Sequence, residues 1–119
     1  MTLKLDYIEF PSVDLNASKR FFETVFGWVF TDYGEDYSSF SREAAGLDGG
    51  IYRGESVPGG ALVVLYAADI EDAMARVKAA GGDITKQIVG FPGGKRFEFA
   101  APGGIPLAIW THEADPKDA

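Results

Sequence analysis

The sequence contains no cysteine and only one histidine, His112. The first absence excludes disulfides, thiolate nucleophiles and sulfur-ligated metals. The second leaves all imidazole chemistry to a single residue near the end of the chain. Long apolar runs are missing too. Nothing approaches the roughly 18–20 residues that span a bilayer, and MTLKLDYIEF puts Asp6 and Glu9 where a signal peptide needs an unbroken apolar stretch. A cytoplasmic protein with no membrane partner is the expectation. Cations are also scarce: 11 Lys and Arg against 18 Asp and Glu give a net charge of −7, and Lys19-Arg20 and Lys95-Arg96 are the only adjacent basic pairs. Phosphate backbones require clustered cations, so nucleic acid is not an expected partner. No Gly-Lys-Ser/Thr phosphate loop and no Gly-x-Ser-x-Gly nucleophile elbow occur.

What remains is a 119-residue chain that is 46% hydrophobic, enough for one globular domain. It reads as a duplication. Asp14 opens DLNASKRFFETVFG and Asp69 opens DIEDAMARVKAAGG, 55 residues later, and Gly27 and Gly82 close the two segments at the same offset. Leu15 matches Ile70, Phe22 matches Val77 and Val29 matches Ile84. A Gly-Gly-Ile at 49 recurs at 103, an offset of 54 that one indel accounts for. Each copy begins with an alternating run (3–10 and 61–67) followed by an Asp in N-cap position. Next comes a helix with apolar residues at 15, 22, 25 and 26 or at 70, 73, 74, 77 and 80, a spacing that lays one stripe on a sheet. Glycine ends each helix. Three strand-like stretches follow, at 28–33, 37–42 and 49–54, then at 83–91, 95–101 and 105–111, with Pro-Gly-Gly at 58–60, 92–94 and 102–104 as punctuation. The pattern is βαβββ twice, an α+β fold with module one at about 1–57, module two at about 58–113 and a polar tail at 114–119.

Three segments in order, YIEFPSVDLNASKRFFETVFGW at 7–28, ALVVLYAADIEDAMARVKAAGG at 61–82 and APGGIPLAIW at 101–110, resemble the vicinal oxygen chelate superfamily. That group includes glyoxalase I, extradiol dioxygenases and bleomycin-resistance proteins. The resemblance implies tandem modules forming a curved, cup-like mixed sheet with helices on the outside. It also implies a divalent metal held by side chains from the first and last strand of each module. Carried across, those positions fall on Tyr7, Leu62 and Ala108, with Gly54 as the first-module counterpart of Ala108. They do not form a ligand set, and a one-residue slip to Glu55 adds only one carboxylate. Ala101 and Ile105 stand where the family's closing motif has Asp and Asn. A member without metal or other cofactor is therefore expected.

Strand parity gives the residues that share a face with those positions. The expected lining is Tyr7, Glu9, Tyr52, Leu62, Tyr66, Ala108 and Trp110, with His112 at the rim. An aromatic and apolar surface with one carboxylate suits a small-molecule pocket. Each residue has a plainer role available: the aromatics can fill the core of a curved sheet, Glu9 can pair with Arg53 or Arg96 or sit exposed, and His112 can be a solvated strand end. The function expected is a metal-free binding protein of the bleomycin-resistance type that holds an aromatic or cationic ligand. The alternative is a glyoxalase-like metal-dependent lyase or isomerase, or a dioxygenase; an accessory subunit is a third possibility. A homodimer is expected, and the cleft could form within one chain or across two.

Overall fold

The computed structural model describes residues 1–57 and 59–113; the polar tail at 114–119 and Pro58 lie outside the described residues. The first module contains β1 (Tyr7–Ser12), α1 (Leu15–Phe26), β2 (Phe30–Asp32), β3 (Tyr37–Phe40), α2 (Arg42–Ala45) and β4 (Asp48–Arg53). The second contains β5 (Val63–Tyr66), α3 (Ile70–Ala79), β6 (Asp83–Phe91), β7 (Gly94–Ala101) and β8 (Ile105–His112). The strands form two mixed four-stranded sheets, in the orders β1-β4-β3-β2 and β5-β8-β7-β6. In each, the first strand lies parallel to the last and the remaining pairs are antiparallel. The fold is α+β, as the duplicated pattern implies.

The capping residues act as their positions require. Asp14 accepts the Ala17 backbone N–H at 3.1 Å and Asp69 accepts that of Asp72 at 3.0 Å. Gly27 takes φ 74° to close α1, a conformation that costs glycine little. α1 buries more than one stripe, however. Phe22 packs on Phe10 and Phe30 of the first sheet, while Phe21, 2% exposed, packs on Phe99 of the second at a ring separation of 5.9 Å. The helix-covered faces of both sheets thus share one core. A stripe reading that assumes one sheet per helix overlooks Phe21.

Several boundaries differ from the sequence reading. β1 starts at Tyr7 rather than at residue 3 because its partner β4 starts at Asp48, opposite Tyr7, and earlier residues have nothing to pair with. Leu3 and Leu5 are accordingly exposed. Leu62 precedes β5, and Trp28 precedes β2, where it is buried against Phe22 and Phe40. The short helix α2 takes part of the segment read as strand, with Asp48 accepting the Arg42 backbone N–H at 2.7 Å.

The Gly-Gly-Ile repeat is not a structural equivalence. Glu9 pairs with Gly50, and its counterpart Val64 pairs with Ala108, so the last strands correspond at an offset of 58 (50 to 108). Gly49–Ile51 lies inside β4, whereas Gly103 and Gly104 form the turn before β8. The first-module counterpart of Ala108 is therefore Gly50, not Gly54. The parity of both strands is unchanged.

Candidate functional site

Tyr7 and Glu9 project from the face of the first sheet opposite buried Phe10, joined there by Tyr37 of β3 and Tyr52 of β4. The Tyr37 hydroxyl donates to Glu9 Oε2 at 2.9 Å and also bonds to the Tyr7 hydroxyl. A phenol has one proton. With that of Tyr37 on Glu9, Tyr7 must donate to Tyr37, so the chain of protons runs Tyr7 to Tyr37 to Glu9. Burial, then the bonds to Tyr7 and Glu9, hold the Tyr37 phenol above its ordinary pKa, in the neutral form. The arrangement depends on Gly50: a Cβ there would collide with the Tyr37 hydroxyl and ring edge. Outward, the chain presents acceptors only, namely the Tyr7 oxygen and the second oxygen of exposed Glu9.

The neighbouring acid is already engaged. Asp48, level with Tyr7 across β1 and β4, receives Arg42 Nε at 3.1 Å and a second guanidinium nitrogen at 2.9 Å. Those bonds hold its carboxyl below the ordinary range. Arg53 bonds to Asp36 at 2.9 Å and Arg96 to Glu98 at 3.1 Å, so neither neutralises Glu9.

The open face of the second sheet has a different character. Tyr66, Trp110 and His112 form an aromatic cluster, with ring separations of 5.3 Å for Tyr66–Trp110 and 4.5 Å for Trp110–His112. Phe91 approaches Trp110 at 6.3 Å. Ala108 is fully buried between Val64 and Glu98, and Leu62 and Val64 remain open to solvent. Glu98 draws Arg96 and Lys86, the latter at 3.5 Å, a cluster with one positive charge in excess. His112 is exposed, and its ring has no hydrogen-bond or ion-pair partner among the described residues; Asp115 lies outside them.

The residues expected to share one lining thus fall into two groups. Tyr7, Glu9 and Tyr52 stand on one sheet; Tyr66, Ala108 and Trp110, with Leu62 beside them, on the other. No described hydrogen bond, ion pair or aromatic contact joins the groups, because the sheets meet through their helix-covered faces. Tyr37, Lys86 and Glu98 lie outside the expected lining, and Arg96, expected only as a partner for Glu9, pairs with Glu98 instead. Tyr37 was within reach of parity alone, since Ser38 and Phe40 are its buried alternates.

A family model described as Glyoxalase/Bleomycin resistance protein/Dioxygenase superfamily matches residues 4–109. The chain belongs to this superfamily. No curated protein sequence matches it. Solved structures of similar fold include a glyoxalase-related enzyme from Fulvimarina pelagi, with TM-score 0.75 and 20% identity over 99% of this chain and 96% of that one. The fosfomycin resistance protein FosX from Mesorhizobium loti has TM-score 0.74 and 18% identity over 100% of both chains. TioX from Micromonospora sp. ML1 has TM-score 0.69 and 18% identity over 92% of this chain and 99% of that one.

Metal-dependent members of the glyoxalase superfamily would require donors at Tyr7, Leu62, Ala108 and Gly50. The residues present do not fit a metal. Leu62, Ala108 and Gly50 have no side-chain donor atoms, the Tyr7 hydroxyl is bonded to Tyr37, and the space above Gly50 holds the Tyr37 hydroxyl. Among the described residues no three His, Asp or Glu side chains cluster as a metal site. No helix among them is long and apolar enough to cross a membrane.

Proposed function

We propose that this protein is a metal-free, cofactor-free small-molecule binder of the bleomycin-resistance type, taking a cationic aromatic ligand at the Glu9 face. The observation that carries this reading is the oriented Tyr7–Tyr37–Glu9 chain over Gly50. A surface of acceptors selects ligands that bring donors, and a charge-assisted bond to Glu9 is worth about 1.5–3 kcal/mol. The exposed faces of Tyr7 and Tyr52 add cation–π attraction of about 0.5–2 kcal/mol. That a neighbour in fold carries the name of a resistance protein agrees with a small-molecule role. The lack of cysteine agrees with a cytoplasmic one.

Calorimetric titration with benzylammonium and benzyl alcohol tests this reading. Benzylammonium should bind more tightly than the alcohol, and Glu9→Gln should weaken it by about tenfold or more at unchanged thermal stability. Equal affinity in the variant would overturn the assignment.

We further propose that the cup is completed by a second copy of the chain. Leu62, Val64, Tyr66, Val89 and Phe91 leave an apolar surface on the second sheet, beside the surplus cation of Lys86 and Arg96. The first sheet offers Glu9 and its tyrosines. These faces complement each other across a two-fold axis, one of each per cup. The outer edges of β1 and β5, unpaired among the described residues, favour the same association. Sedimentation velocity at micromolar concentration should give a dimer; a monomer would contradict this arrangement.

A further inference from the structure

The two halves of the core between the modules are packed differently. On one side α1 sets Phe21 and Phe26 against Phe99, with ring separations of 5.9 and 6.5 Å. The sheet registers make Phe40 the counterpart of Phe99, since Phe40 faces Gly49, Phe99 faces Leu107, and 49 to 107 keeps the 58-residue offset. The helical counterparts of Phe21 and Phe26, 55 residues on, are Arg76 and Gly81. Where the first half has two phenyl rings, the second has one solvent-exposed side chain and none. A cavity of about 670 Å³ opens there, with Phe10, Phe26, Trp28 and Phe40 in its walls and Asp72 and Arg76 at its mouth.

We infer that this cavity, which is not lined by Tyr7, Glu9, Tyr37 or Tyr52 and meets the second sheet along its edge strand β5, is a ligand site for an uncharged aromatic molecule of one or two rings. Its volume falls within the range of small-molecule sites, about 300–1,000 Å³. Its apolar surface comes from the partly buried Val25, Phe26, Val63, Leu65 and Ala73, with Trp28 and Phe40 stacked on each other at 4.6 Å behind them. The first half fills the equivalent space with the rings of Phe21 and Phe26, so the space left in the second half suits one or two rings. Its apolar walls disfavour a desolvated ion of either sign. At the mouth Asp72 and Arg76 stand one helical turn apart, and the Asp69 carboxylate accepts the Asp72 backbone N–H.

The chain has only two tryptophans, so a Trp110→Phe variant leaves Trp28 as the sole indole, in the wall of this cavity. Titrating it with 2-naphthol should change Trp28 emission saturably, whereas benzylammonium should leave that emission unchanged. Adding Arg76→Phe restores the missing ring; it should raise the melting temperature and weaken 2-naphthol binding by about tenfold or more. If that variant fails to fold, Ala73→Leu narrows the same space and should weaken binding in the same direction. A non-saturable response, or undiminished affinity in the folded filled variant, would overturn the inference.

Discussion

At Gly50 the missing side chain admits the ring of Tyr37, and through it the whole hydrogen-bond chain from Tyr7 to Glu9. Gly50→Ala should expel Tyr37 and break both bonds. Spectrophotometric titration measures this directly. In the native protein one of the five tyrosines should stay protonated past the ordinary value of about 10. In Gly50→Ala it should rejoin the others. The sign for stability follows from the raised folded value: the neutral phenol is the form the fold accepts, so stability is fully present below about pH 10 and declines as pH rises through the folded value. Period-two alternation was enough to place Tyr7, Glu9 and Tyr52 on one face, since it needs no knowledge of partners. It could not show that Tyr37 crosses to the space over Gly50, because that depends on which residue of β4 lies opposite Ser39.

At the scale of elements, the turn before β8 clamps the modules together. Val13 donates its backbone N–H to the Gly103 carbonyl at 3.0 Å, and Ser18, bonded to Ser12, donates to the Pro102 carbonyl. Gly103 has φ 96°, and a Cβ on it would overlap both serine hydroxyls. Gly103→Ala should cost about 2 kcal/mol or more, seen as a lower urea midpoint at unchanged slope. An unaltered midpoint would mean that this turn bears little of the contact between modules. Here the duplication was legible in the caps and glycines, which act locally. The ends of strands were not, because they are set by partners: β1 begins where β4 begins, and the recurring Gly-Gly-Ile serves a strand in one copy and a turn in the other. The second buried face of α1 is not legible for the same reason, since Phe21 answers to a sheet 78 residues further along, at Phe99.

For the whole molecule, the superfamily fold is retained while the positions that would hold a metal are given over to Gly50, Leu62, Ala108 and a committed Tyr7. Among the described residues no hydrogen bond, ion pair or aromatic contact joins the acceptors of the first sheet to the aromatic cluster of the second, and the proposed dimer would bring one of each into a shared cup. On the proposed reading, ligand recognition proceeds through Glu9 and its tyrosines with no metal. The most direct measurement is thermal unfolding of chelator-treated protein with Ni²⁺, Zn²⁺, Mn²⁺ or Fe²⁺ and, in parallel, with benzylammonium. A specific ligand at about 100 times its dissociation constant stabilises the native state by about 2.7 kcal/mol, a shift of several degrees. Benzylammonium should produce such a shift and none of the metals should. A saturable shift with one metal and none with the cation would contradict that reading.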